Sequence, residues 1–284
     1  MEIFRRQFYM PQQQEARIKA LKKRSAFKML ESDILSGEVF PALRESVIDF
    51  YHMGARLCSF KGGNMIWHKN KPDPLSENDY GEIKKECVCW SYRKNGTINE
   101  RASLSALCRD KTFSPYMSSQ ASIILLDIEV GFPCLTSNGQ VIQNVQVDLL
   151  FVDPNTGILY FIEAKEANDS RIKTIPRENE SEEALFDRLE VTDQIRKYDA
   201  NLSSEERTQE ILKAYTNYLN IMEKIFGCQI QTKPLSLYPH PKLFVFGEST
   251  ANGKECLKAL RFKLGDDLIV KQEAWHLTKG DIVK

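Results

Sequence analysis

Apolar runs alternate with polar segments most clearly in the second half of the chain, where they predict strands and helices. Stretches 121–130, 144–152 and 157–165 have the length and the aliphatic and aromatic content of buried strands. The letters DPNTG between the last two favour a tight hairpin turn. The pattern after a charged loop over about 166–180 predicts five further elements: a helix at 181–202, a helix at about 205–226, a strand at 241–249, a helix at about 253–264 and a strand from 268.

The first half of the chain is less regular. Residues 12–36 show the period of a helix, and 46–68 predict a meander of strands that turn at HMGA and KGGN. Residues 69–85 are polar and contain two prolines, which favours a loop, and 86–118 give no clear pattern. The element order therefore predicts an α/β protein with a mixed central sheet flanked by helices and an N-terminal helix plus β-meander extension.

Length and composition are those of a globular protein. With 284 residues and 42% hydrophobic content, the chain can form either one large domain or one domain with a sizeable extension. We expect an N-terminal region, 1–118, that extends the sheet, recognises a substrate, or binds a protein partner or a second copy of the chain. The second region, 119–284, would carry the central sheet.

Charge and cysteine content bear on the binding partners and the cell compartment that we expect for the protein. The 39 basic and 39 acidic residues cancel, but the first 30 residues hold eight basic and two acidic ones. This excess is either a solvated helix face or a local patch for a polyanion. Seven cysteines suit a reducing cytoplasm. We expect no membrane association, because no apolar run approaches the roughly 20 residues of a membrane span and the N-terminus lacks a signal-peptide core.

A zinc site is a weak alternative. Cys87 and Cys89 lie near Cys108 and His68 in the sequence. The C-x-C spacing is tighter than the usual spacing of zinc ligands, so zinc is not the expectation.

The strongest chemical signal lies in the hairpin at 144–165. Positions two apart on a strand share a face, so Glu163 and Lys165 continue the apolar face of Phe161. Asp148 lies in the middle of the preceding apolar strand. A buried charge is costly unless it is compensated. Asp148 therefore requires a partner, which is either Lys165 in a structural ion pair or a bound cation.

The strand before this hairpin carries acidic residues too. Asp127 and Glu129 share one face of an otherwise apolar run. Two carboxylates about 4 Å apart repel by on the order of 4 kcal/mol at an effective dielectric constant near 20. A hard divalent cation would remove this repulsion, and Mg²⁺ is typically held by one or two carboxylates, water and phosphate.

This arrangement resembles the PD-(D/E)XK nuclease superfamily. Its motif is matched by Asp148, fourteen intervening residues and then Glu163-Ala164-Lys165. The chain departs from the motif at the leading proline, where it has Val147.

Two further observations bear on the resemblance. Some exonuclease branches of the superfamily carry Gln-x-x-x-Tyr on the next helix, and Gln194 and Tyr198 match this pattern. The bare pattern Glu-x-Lys is uninformative, since it also occurs at 82–84 in a polar stretch with no preceding strand aspartate.

The resemblance implies a restriction-endonuclease-like core and a nuclease that hydrolyses phosphodiester bonds with Mg²⁺, or with Mn²⁺ in its place. The expected substrate is DNA, with RNA left open, and the expected setting is restriction, phage defence or repair. Asp148 and Glu163 would hold the metal with Glu129 assisting, Lys165 would act on water or phosphate, and Gln194 would position the water. The residues expected to contact nucleic acid are Tyr198, Arg171, Lys173 and Lys197.

Two other functions remain open at this point. One is a catalytically inactive protein of the same fold that serves as a nucleic-acid-binding or assembly subunit. The other is a protein–protein adaptor that works through its N-terminal meander.

Overall fold

The structure is a computed structural model. It describes residues 4–7, 11–93, 98–117, 121–135 and 141–284. The chain divides into two compact units. Unit 1 comprises Met1–Leu125 and Glu210–Lys233, and unit 2 comprises Leu126–Gln209 and Pro234–Lys284. The sequence predicts one boundary, after residue 118. The structure has its first boundary after Leu125, and the chain returns to unit 1 at 210–233.

Unit 1 contains an antiparallel four-stranded sheet in the order β1-β2-β3-β4. Its elements before residue 124 are α1 (Pro11–Lys22), α2 (Ser25–Leu35), β1 (Phe40–Leu43), β2 (Val47–His52), β3 (Ala55–Lys61), β4 (Asn64–Trp67), α3 (Glu77–Val88) and α4 (Glu100–Ser105). The predicted meander over 46–68 is confirmed, with its turns at Gly54 and at Gly62-Gly63. Strand β1 is an addition to it.

The predicted helix over 12–36 is interrupted. Arg24 has an extended backbone, with ψ at 131°, and separates α1 from α2. Its guanidinium donates to the carbonyl of Gly63 at 2.7 Å and to Asn64 Oδ1 at 3.2 Å. The break therefore places Arg24 against the tip of the β3–β4 hairpin.

The prediction of a loop over 69–85 is wrong, because α3 occupies its second half. Ser76 and Asp79 form a capping box that starts this helix. Tyr80, Ile83 and Cys87 follow at helical spacing and are buried. The high polarity of the segment belongs to the exposed face of a helix.

The elements from residue 124 onward follow the predicted alternation of strands and helices, but the helix predicted at 181–202 is divided into two, and a short strand at 236–237 and a short helix at 279–282 are additions. The elements are β5 (Ile124–Leu135), β6 (Val141–Val152), β7 (Ile158–Glu166), α5 (Glu182–Asp187), α6 (Glu190–Leu202), α7 (Glu205–Phe226), β8 (Ser236–Leu237), β9 (Lys242–Phe246), α8 (Ala251–Leu264), β10 (Leu268–Lys271) and α9 (Lys279–Ile282). The sheet is mixed, in the order β10-β9-β7-β6-β5 with β8 beside β7. The mixed α/β class with a helix-flanked sheet is confirmed.

Helix α7 explains why 210–233 belongs to unit 1. Its Tyr215 and Phe226 lie against two aromatic rings of the N-terminal segment, with ring centroids 5.8 Å from Phe4 and 6.2 Å from Phe27. These residues are buried or half-buried in the core of unit 1. Among the described residues, no helix has the length and hydrophobicity required to cross a membrane.

Candidate active site

The β6–β7 hairpin positions the three motif residues. Gly157 N donates to Asp153 O at 2.8 Å and closes the turn, so Leu149 pairs with Ile162 and Leu150 with Phe161. Asp148 is the next residue on β6 and comes level with Glu163. The chemistry expected of this hairpin is therefore concentrated where the two strands leave the regular ladder.

Asp148 is the exposed member of the group. Its Oδ2 accepts a hydrogen bond from the backbone N–H of Ala164 at 2.8 Å, and its side chain is 23% exposed. Both hydrogen bonds that it makes with described residues fall on this one oxygen. Asp148 is thus fixed by the neighbouring strand while the carboxylate reaches solvent.

Lys165 lies at the centre of three oxygens. Its Nζ contacts Asp148 Oδ2 at 3.5 Å, donates to the carbonyl of Ala164 at 2.8 Å, and forms an ion pair with Glu163 Oε1. Glu163 and Lys165 are each only 1% exposed. Two carboxylates and one carbonyl therefore converge on a cationic group at the buried end of β7.

Burial dominates the electrostatics of Glu163. Desolvation raises the pKa of this carboxyl to about 8, the negative charge of Asp148 acts in the same direction, and Lys165 opposes them. Protonated and ionised forms of Glu163 are therefore both accessible near neutral pH. A cation bound beside it would favour the ionised form.

Tyr198 supports Glu163 from α6. It is fully buried, and its hydroxyl lies 2.9 Å from Glu163 Oε2 and 2.6 Å from the carbonyl of Gln146. A hydroxyl has one proton to donate, so both contacts are hydrogen bonds when Glu163 is protonated. Burial, followed by the charge of Glu163, raises the pKa of Tyr198. The expected contact of Tyr198 with nucleic acid is thus corrected, because this ring is enclosed and orients Glu163.

Gln194 lies one helical turn before Tyr198 on α6, so the two side chains share a helix face. Its Oε1 is buried and has no hydrogen-bond partner among the residues that the structure describes. A buried carbonyl oxygen without a donor is costly. A water molecule is the simplest donor for it, which agrees with the role expected from the sequence.

The carboxylates of β5 do not form a metal-binding group with these residues within the described ranges. Asp127 is fully buried and its Oδ1 accepts from the N–H of Ile128 at 2.9 Å. Glu129 is half-buried and has a positive φ of 49°, which interrupts the regular strand. Within the described ranges, no group of three or more His, Cys, Asp or Glu side chains could hold a metal ion. The assisting role of Glu129 stays a prediction.

The described residues also contain no group of His and Cys side chains that could hold a zinc ion. Cys87 and Cys108 are buried, and burial raises the pKa of their thiols to about 11 and about 12. Cys89 is exposed. Buried protonated thiols behave as small apolar side chains, and these residues are part of the packing of unit 1.

Three basic residues were expected to grip phosphates. Arg171 forms a two-pronged ion pair with Asp169, with N–O distances of 2.9 and 2.6 Å, and lowers the pKa of that carboxyl. Lys173 is half-buried and Lys197 is exposed on α6. Arg171 is therefore held locally, while contacts of all three with nucleic acid stay predictions.

The second Glu-x-Lys pattern, at 82–84, lies on helix α3. Lys84 and the hydroxyl of Tyr80 both donate to Asp33 Oδ2 at 2.7 Å. These residues line a cleft of about 560 Å³ within unit 1, together with the buried His52. No local sequence pattern predicts this cleft, because its residues come from separate elements.

Comparison with known proteins adds no relative. No protein-family model matches the chain, and no curated protein or solved structure matches it. The function of this chain is therefore inferred from its own residues.

Proposed function

We propose that this protein is a Mg²⁺-dependent phosphodiesterase that cleaves DNA. The observation that carries the proposal is the convergence of Asp148, Glu163 and the Ala164 carbonyl on the ammonium group of Lys165. Oxygen donors of this kind suit Mg²⁺, which needs only one or two carboxylates from a protein when water and phosphate complete its shell.

The donor set is suited to the metal in two respects. Asp148 reaches solvent, where a phosphate would arrive, and Glu163 lies behind it with its carboxylate held by Tyr198. The two residues would hold the ion. When bound, Mg²⁺ supplies a Lewis acid that polarises the phosphate and lowers the pKa of water.

The other residues act through hydrogen bonds. Lys165 has three N–H donors, and the longest of its three contacts is the one with Asp148 Oδ2 at 3.5 Å. This donor would turn to a water molecule or to the negative charge that develops on a phosphate. The unpartnered Oε1 of Gln194 would accept a hydrogen bond from the attacking water and orient it. RNA carries the same phosphate groups, so the assay must compare both nucleic acids.

The test is a cleavage assay with a matched control. Linear, nicked and single-stranded DNA and RNA are incubated with the protein in Mg²⁺, Mn²⁺ or EDTA. We expect cleavage with the metals, none in EDTA, and a loss of at least about 100-fold in Lys165→Ala. Lys84→Ala removes the lysine of the other Glu-x-Lys pattern and should cleave normally. Cleavage that survives in EDTA or in Lys165→Ala refutes the proposed site.

A second candidate function is a non-catalytic nucleic-acid-binding or assembly subunit of the same fold. The observation that favours it is that Lys165 already pairs with both carboxylates, and no third carboxylate forms a metal-binding group with them among the described residues. This candidate requires DNA binding without cleavage under every metal condition.

A further inference from the structure

The most concentrated positive charge of the chain lies on the first two helices. Between residues 16 and 30 the sequence has six basic residues and no acidic one. The chain as a whole has no net charge, so this segment is a strong local departure from the average. The proposed cleavage site does not use it.

Five lysines form what we call the basic surface. They are Lys19, Lys22, Lys23, Lys28 and Lys61, all exposed. None of their ammonium groups forms a hydrogen bond or an ion pair with any residue that the structure describes. Other exposed lysines of this protein do have a carboxylate beside them, as Lys85 has Glu82 at 2.6 Å. The basic surface is therefore uncompensated positive charge.

Helix geometry brings three of these lysines together. Lys19, Lys22 and Lys23 are spaced i, i+3 and i+4 at the end of α1, so they share one face within about 6 Å along the axis. Like charges at this spacing destabilise a helix by a few tenths of a kcal/mol each. An anionic partner would relieve this repulsion.

The two arginines of the segment join the helices to the β3–β4 hairpin. Arg24 binds the carbonyl of Gly63 and the side chain of Asn64, which is the cross-strand partner of Lys61. A Cβ on Gly63 would lie 2.5 Å from the Arg17 guanidinium, so this arginine also covers the hairpin tip. These contacts fix Lys61 beside the helix junction.

The surroundings distinguish between two classes of polyanion. An amphipathic helix that binds a lipid surface presents large apolar side chains next to its lysines. Among the described side chains of α1 and α2, the one large apolar side chain that is exposed is Leu35, at the end of α2 away from Lys19, Lys22 and Lys23. Compact ammonium groups on an otherwise polar surface match the phosphates of a nucleic-acid backbone, which need no apolar insertion.

We propose that the basic surface of unit 1 binds the phosphate backbone of a nucleic acid. The proposal goes beyond cleavage and does not depend on it. Binding of this kind is independent of base sequence and falls steeply with salt, because each neutralised phosphate releases counterions.

The test is binding of a fluorescent 30-base-pair DNA duplex in EDTA, followed by anisotropy across a salt series. The variant Lys19→Gln/Lys22→Gln/Lys23→Gln should bind about tenfold or more weakly and lose about 2 to 3 from the slope of log K against log salt. A control removes the same charge from three exposed lysines that have carboxylate partners, and should stay within about twofold of wild type. Its substitutions are Lys85→Gln, Lys258→Gln and Lys263→Gln.

Several outcomes would overturn the proposal. They are equal loss in both variants, loss in neither, and no duplex or RNA-hairpin binding by the wild type. A fourth is loss of binding to phosphatidylserine vesicles in the triple variant while duplex binding stays intact, since the partner would then be a membrane. An RNA hairpin measured in parallel shows which nucleic acid is preferred. Failure to cleave DNA leaves these results unaffected, because binding is measured without metal.

Discussion

The raised pKa of Glu163 makes the free energy of unfolding depend on pH in a defined direction. Its carboxyl titrates at about 8 in the folded protein against 4.5 in the unfolded chain. Between these values the folded state binds the additional proton, so stability falls as the pH rises. The contribution of Glu163 is fully present below 4.5 and is lost by the time the pH passes about 8.

The magnitude follows from the size of this interval. Each pKa unit corresponds to about 1.4 kcal/mol, so the interval from 4.5 to about 8 sets an upper limit of about 5 kcal/mol. A Glu163→Gln variant lacks this titration. The free energy of unfolding of this variant differs from that of wild type at every pH, because the ion pair with Lys165 is lost. Only the change of this difference with pH reports the titration of Glu163.

Urea denaturation in EDTA between about pH 5 and about pH 9 measures this change. We expect wild type to lose a few kcal/mol relative to Glu163→Gln over this range. Asp148→Asn should shrink the loss, because the charge of Asp148 raises the pKa of Glu163. If the stability difference between wild type and Glu163→Gln is constant with pH, the reasoning about buried Glu163 is refuted. Adding Mg²⁺ at high pH should restore stability if the site binds metal.

Three further changes test other parts of the structure by urea denaturation. Tyr198→Phe removes the hydroxyl that contacts Glu163 and should cost about 1–3 kcal/mol; an unchanged midpoint would contradict this. Gly54→Ala places a Cβ 2.5 Å from backbone at a φ of 76° and should cost several kcal/mol, whereas Gly62→Ala, with open space around it, should cost about 1–2. Lys242→Met leaves the carboxylate of Asp267 without its cation, although the Tyr238 hydroxyl still donates to it, and should cost about 1–3 kcal/mol; a gain in stability would show that the ion pair is dispensable.

The elements of the fold followed from local patterns where apolar period and turn chemistry agreed. The hairpin turn before Gly157 and the helix end at Gly227, both with positive φ, are examples. Helix α3 does not follow from the local pattern, because the polarity and the prolines of 69–85 favour a loop. Only the capping pair of Ser76 and Asp79 indicates the start of a helix there. Assignment of 210–233 to unit 1 depends on packing of α7 aromatic rings, which has no sequence signal.

The candidate site was predictable in its members but not in their roles. Charges on an apolar strand identified Asp148, Glu163 and Lys165, and the structure brings them together. Spacing placed Gln194 and Tyr198 on one helix face, but spacing cannot show whether that face meets solvent or the sheet. The packing of α6 encloses Tyr198 and leaves the Gln194 oxygen without a partner in the described part of the chain, and both results depend on tertiary contacts.

Stability alone does not account for the arrangement at the end of β7. Replacing a buried ion pair by apolar residues of similar volume is often neutral or stabilising by about 1–4 kcal/mol. Glu163 and Lys165 lie on the same face of β7 as the buried Phe161, so apolar side chains would fit at both positions. The charged group is enclosed at its base, opens to solvent only at Asp148, and includes a carboxyl that changes protonation near neutral pH. A strand that needed only to pack would not require these properties, whereas a site that accepts a cation and a phosphate would.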